Sequence, residues 1–151
     1  MGNLLMIISS IFLLYLITGC IAEEYDFTPP AVTLSASDSI QSEELKEANV
    51  HWTGENSKLL QKKTEDFLSF AREQKQLSFT AGQRIDILFD SEDFVVERLA
   101  VSVWKNDEKI ELELDEQRSF YFPTEKGKYA IVVELETDRG SAQYVGNLAI
   151  N

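Results

Sequence analysis

From residue 83 to the end, the chain alternates apolar and polar side chains with a period of two. In residues 83–90, Ile85, Ile87 and Phe89 fall on one face, and Arg84, Asp86 and Asp90 on the other. In residues 99–105, Leu99, Val101 and Val103 alternate with Ala100, Ser102 and Trp104. The clearest run sets Ile110, Leu112 and Leu114 against Glu111, Glu113 and Asp115. Phe120 and Phe122 flank Tyr121. Tyr129, Ile131, Val133 and Leu135 then share a face opposite Lys128, Glu134 and Glu136, and Tyr144, Gly146, Leu148 and Ile150 close the chain. Side chains alternate in this way on antiparallel strands with one wet face. Ala81-Gly82, Asn106-Asp107, Glu125-Lys126-Gly127 and Asp138-Arg139-Gly140 separate the runs as turns. Short strands at this spacing, with no helical repeat between them, predict an all-β sandwich or barrel.

The first half carries a weaker pattern. Val32-Thr33-Leu34, the stretch 48–53 with Val50 and Trp52, and Leu77-Ser78-Phe79 read as strands. Between them, residues 56–73 have mixed charge. Leu60, Phe67, Leu68 and Ala71 suit one helical face, which predicts a short helix near 64–72 capped by Thr64.

The opening segment is of another kind. No charged side chain precedes Glu23, and residues 4–22 are apolar except for Ser, Thr and Tyr15. A secretory signal needs an apolar run followed by small residues at a cleavage site. Here Ile17-Thr18-Gly19-Cys20 follows the run and resembles the bacterial lipobox. The resemblance implies cleavage before Cys20 and a diacylglycerol thioether on its sulfur. Cys20 is the only cysteine, so an intrachain disulfide is excluded. The segment is also close to the ~20 residues that span a bilayer. With no Lys or Arg in Met1-Gly2-Asn3 to fix its orientation, an uncleaved anchor remains the alternative. Either way the domain is expected to be tethered outside the cytoplasmic membrane. Residues 1–19 are thus read as a lipoprotein signal peptide, 20–31 as a lipidated tether with Pro29-Pro30 near its end, and 32–151 as one sandwich domain.

Net charge then narrows the partners. The chain carries −12, spread over both halves: six basic and eleven acidic residues up to Lys75, eight and fifteen after it. An acidic surface repels phosphate backbones and anionic headgroups, so nucleic acid is not an expected partner. Membrane attachment is assigned to the lipid on Cys20.

The order of these features resembles small lipid-anchored proteins of Gram-positive, Bacillus-type bacteria with an immunoglobulin-like sandwich. It comprises a Pro-flanked first strand, a strand ending near Trp52, an irregular insert, Leu77-x-Phe79-x-x-Gly82 leading into an Ile-rich strand, and Glu125-Lys126-Gly127-x-Tyr129 before a final hairpin. The resemblance covers most of residues 32–151 and implies architecture only. Gly127-x-Tyr129 resembles the start of an immunoglobulin F strand, where a tyrosine ties the corner. The cysteine that antibody domains carry two residues later is replaced by Ile131.

Candidate chemistry is sparse. His51 is the only histidine and sits in a strand, expected on the wet face. Zinc sites and Ser-His-Asp triads need more than this chain offers. Asp90-Ser91-Glu92-Asp93 has calcium-loop composition, but Val95 and Val101 stand where the loop needs glycine and glutamate. No catalytic, cofactor or metal residue is assigned. The remaining candidate is a partner-docking face formed by Glu111, Glu113 and Asp115. The expected function is a non-enzymatic binding or accessory module of the cell envelope. The alternative is an envelope hydrolase or calcium-dependent enzyme with a site not legible in the sequence.

Overall fold

A computed structural model describes residues 27–151. Their strands are β1 (Val32–Ala36), β2 (Ser42–Glu44), β3 (Lys46–Thr53), β4 (Leu59–Lys62), β5 (Gln76–Phe79), β6 (Arg84–Phe89), β7 (Val96–Lys105), β8 (Glu108–Leu112), β9 (Ser119–Tyr121), β10 (Gly127–Thr137) and β11 (Gly140–Ile150). One α-helix, α1 (Phe67–Glu73), lies between β4 and β5. The strands form two packed sheets, so the expected all-β sandwich is the fold. The smaller sheet has the order β2-β1-β6-β9. The larger runs β4-β3-β11-β10-β7-β8, with β5 added on β11.

The six alternating runs of the second half all contain strands; five bury one face in the core, whereas β8, at the sheet edge, has no fully buried residue. Ile85 and Ile87 of the small sheet meet Val101, Val103, Ile131, Val133 and Leu135 of the large one in a single core. Trp52 and Tyr144 are fully buried in it, and Trp52 meets Phe94 edge to face at 5.5 Å between ring centroids. The strand neighbours β8-β7-β10-β11 opposite β6-β9 follow the immunoglobulin order C′-C-F-G opposite B-E. The anticipated tyrosine corner is present: Tyr129 Oη donates to the Glu125 carbonyl at 2.8 Å.

β1 lies antiparallel on β6, whereas β5 lies parallel on β11. Residues 37–75 stand between these two strands as an insert. Within it, β3 pairs with the first half of β11 and carries β4 on its outer side. β5 takes the second half of β11, so two strands share one edge end to end. Gly146 lies at the junction, where a Cβ would come within 2.8 Å of Leu45 Cδ2 and 3.1 Å of Ile131 Cγ2.

The insert departs from expectation in three ways. The helix begins at Phe67 rather than at residue 64, and its cap is Asp66, whose carboxylate accepts from the Ser69 N–H at 2.9 Å. Thr64 is instead bonded to β3: its N–H donates to Asn49 Oδ1 and its hydroxyl to the Ala48 carbonyl. Leu60 belongs to β4, and it packs on the main core rather than on the helix. β2 and β4 have no counterpart in the sequence reading; both are short and mostly exposed, so no alternation marks them. The helix covers the outer face of the large sheet, where Ala48, Ala71, Ala130, Val132 and Val145 form a second buried cluster. That cover explains the unbroken apolar run Ala130-Ile131-Val132-Val133 in β10, since a strand buried on both faces has no wet side to mark.

Candidate functional site

Cys20 and the signal segment lie outside the described residues. The described part of the tether, residues 27–31, rests against the sandwich. The Pro30 carbonyl accepts from Tyr144 Oη at 2.6 Å in a buried bond. Ala31 N donates to Asp90 Oδ1 at 2.7 Å, and Asp90 N returns a bond to the Ala31 carbonyl. The Arg139 guanidinium sits 4.5 Å from the Phe27 ring centroid. Burial pushes the Tyr144 phenol well above its ordinary pKa, with Glu47 and Asp90 adding to the shift. The alternation in the sequence groups Tyr144 with Gly146, Leu148 and Ile150 and assigns it no such role. The signal was available, because an inward tyrosine needs an acceptor for its hydroxyl.

These contacts put the N-terminal segment at the end of the sandwich that carries the β6–β7 and β10–β11 connections. The two connections are tied together there. Val95 N donates to Asp138 Oδ1, Asp138 N to the Val95 carbonyl, and Arg139 Nε to the Asp93 carbonyl. The hairpin turn before β11 works only with Gly140, whose φ is +135° and where a Cβ would overlap the His51 carbonyl.

The acidic candidates separate in the structure. β8 ends at Leu112, so only Glu111 belongs to a strand, and the three carboxylates do not share a strand face. Glu111 is exposed and ion-paired with Lys109 Nζ at 3.1 Å. Glu113 is exposed beyond the strand end. Asp115 organises the turn into β9. It accepts from the N–H groups of Ser119 and Gln117, both at 2.9 Å, and pairs with Arg84 at 3.0 Å. The Ser119 bond, then the Gln117 bond and the Arg84 charge, hold its carboxyl below the usual carboxylate range.

His51 is exposed on β3, on the wet face as expected. It lines an open groove of about 510 Å³ on the outer face of the large sheet, with Asn49, Lys63, Glu134 and Gln143 among its walls. Asn49 and Gln143 bond each other across it at 2.6 Å. The acids of the 90–93 loop serve separate partners: Asp90 holds Ala31, and Glu92 pairs with Arg118 at 2.6 Å. Among the described residues, no three His, Cys, Asp or Glu converge so as to hold a metal ion. Also among them, no helix is long and apolar enough to cross a membrane.

Fold and surface together define a two-sheet β-sandwich fastened at one end to residues 27–31. No protein-family model matches this chain, and no curated protein matches it.

Proposed function

We propose that the protein is a lipid-anchored, extracytoplasmic binding or accessory module that catalyses no reaction of its own. The observation that carries this reading is the place where the chain joins the sandwich. Phe27–Ala31 is fixed by Tyr144, Asp90 and Arg139 at the end formed by the β6–β7 and β10–β11 connections. Six residues separate Phe27 from Cys20, and the stretch between the two reaches at most roughly 25 Å when extended. A lipid on Cys20 would hold that end near the headgroups. The opposite end, with the β5–β6, β7–β8 and β9–β10 connections, would face away toward a partner. Glu111 and Glu113, on and just beyond the open edge of the large sheet, remain the proposed charged docking residues.

Membrane fractionation and mass spectrometry test the reading together. The membrane-bound form should begin at an acylated Cys20, and Cys20→Ser should leave the membrane fraction. An intact segment 1–19 on the membrane-bound protein would replace the lipid anchor by an uncleaved one. Recovery of the wild type in the cytosol would remove the reading altogether.

A further inference from the structure

Five strands have an unpaired side, β2 and β9 in the small sheet and β4, β5 and β8 in the large one. Each leaves a row of backbone groups that another strand can use. Four of these edges are poor templates for a second copy of themselves; on β5 the Ser78 carbonyl already accepts from Gln41 Nε2 at 2.6 Å. The turn before β9 folds onto it, with Asp115 N donating to the Ser119 carbonyl. β2 carries Glu43 and Glu44 in succession, so self-pairing would oppose glutamates. β4 carries Lys62 and no acid.

The edge at β8 is different. Lys109 and Glu111 flank Ile110 symmetrically, and Ile110 is 38 % exposed. Asn106 and Asp107, both at positive φ, make a two-residue turn of the I′ kind. That turn makes Lys105 and Glu108 a hydrogen-bonded pair, and the alternation of an antiparallel ladder then sets the rest. The backbone groups of Glu108, Ile110 and Leu112 face β7. Those of Lys109 and Glu111 face the open edge.

We propose that β8 pairs antiparallel with β8 of a second copy, about a twofold axis through Ile110. In this register Lys109 of each copy exchanges backbone hydrogen bonds with Glu111 of the other. Their side chains, on the outer face of the sheet, meet as opposite charges. The two Ile110 residues form the non-hydrogen-bonded pair, with Cα atoms about 4.5 Å apart, and cover each other. A slip by two residues would set Lys109 on Lys109 or Glu111 on Glu111, so charge selects the register. Asp107, brought toward Glu113 of the other copy, is already paired with Arg72 at 2.6 Å. Such a contact is isologous and closes at two copies. The twofold runs the strands of the two copies in opposite directions, so their Phe27 ends point apart, and the pairing joins copies on opposed surfaces rather than neighbours held upright in one membrane.

Cysteine trapping in the full chain, in detergent at physiological ionic strength, tests this register. Ile110→Cys should give a covalent dimer under mild oxidation, because its Cα separation lies inside the disulfide range. Glu111→Cys should cross-link at least tenfold more slowly, since the two copies of that residue lie diagonally apart, beyond about 7 Å. The wild type, with Cys20 alone, sets the background. Lys109→Glu in the Ile110→Cys chain should cut trapping at least tenfold, and adding Glu111→Lys should restore it. Equal trapping at both cysteines, no trapping above background, or indifference to Lys109→Glu would overturn the proposal. Should Ile110→Cys fail to fold, sedimentation of the wild type against Lys109→Glu decides. A concentration-dependent dimer lost in the variant supports the pairing, and identical behaviour refutes it.

Discussion

Tyr144 and Pro30, 114 residues apart, are joined by a buried hydrogen bond of 2.6 Å from phenol to carbonyl. This bond fixes the segment just before β1 to the second strand of the final hairpin. It also shapes the first prediction. Tyr144→Phe keeps the ring but leaves the Pro30 carbonyl buried without that donor. The cost should be about 1–3 kcal/mol, read as a lower denaturant midpoint at unchanged slope. A variant as stable as the wild type would mean that the tether is not clasped at this point.

The glycine turns make a paired test. At Gly140 φ is +135° and an added Cβ would run into the His51 backbone, so Gly140→Ala should cost at least about 1–3 kcal/mol. At Gly82 φ is +71°, but the nearest atom to a Cβ is Thr124 Cγ2 at 3.5 Å. Gly82→Ala therefore meets only the backbone preference, of roughly 1–2 kcal/mol. Thermal unfolding of the two variants should rank Gly140→Ala as the less stable. The reverse order would contradict the close approach of β11 to β3.

The strands of the second half are legible wherever a wet face writes a period of two into the sequence. Legibility failed where that physics changes. Ala130 and Val132 face outward on β10, yet they are buried because α1 covers them. β2 and β4 bury too little to leave a pattern. The predicted helix starts three residues early and its predicted cap lies two residues early, because Thr64 and Asp66 are both good caps. Only the tertiary bonds of Thr64 to Asn49 and Ala48 decide between them. Glu111, Glu113 and Asp115 look like one strand face in the sequence because the alternation continues past Leu112, where the pairing with β7 stops. Tyr129 was read correctly from Gly127-x-Tyr129, since the corner is a local bond four residues back.

Acid should loosen the helix at its cap. The Ser69 backbone bond, then its hydroxyl, hold the Asp66 carboxyl below 3.8, its ordinary value. A carboxyl with a folded pKa below its unfolded one stabilises the fold above the unfolded value and loses that contribution as pH falls through the folded one. The loss from Asp66 thus falls below about pH 4. Asp66→Asn keeps a capping oxygen but removes the titration, so its stability should fall less between pH 5 and pH 2 than that of the wild type. Identical pH profiles would show that Asp66 is not linked to folding.

The last prediction separates the three acidic residues by what each holds. Glu111 and Glu113 are exposed, and neither accepts a backbone hydrogen bond among the described contacts; Glu111 meets only Lys109. Reversing either to Lys should leave stability within about 0.5 kcal/mol, as is usual for exposed positions. Asp115 is also exposed, though less than Glu111, and it accepts from Ser119 and Gln117 and pairs with Arg84. Lysine there cannot accept either backbone bond and would set a second cation beside Arg84. Asp115→Lys should therefore unfold at a clearly lower denaturant concentration, while Asp115→Asn, which keeps an accepting oxygen, should lie between it and the wild type. Its acid profile should differ as well. With the folded pKa of Asp115 depressed, the wild type loses this contribution as pH falls through that value, and Asp115→Asn has no such step. Denaturant midpoints measured at pH 7 and pH 3 check both statements. Equal midpoints for the Lys variants at positions 111, 113 and 115 would show that the turn before β9 does not depend on its carboxylate.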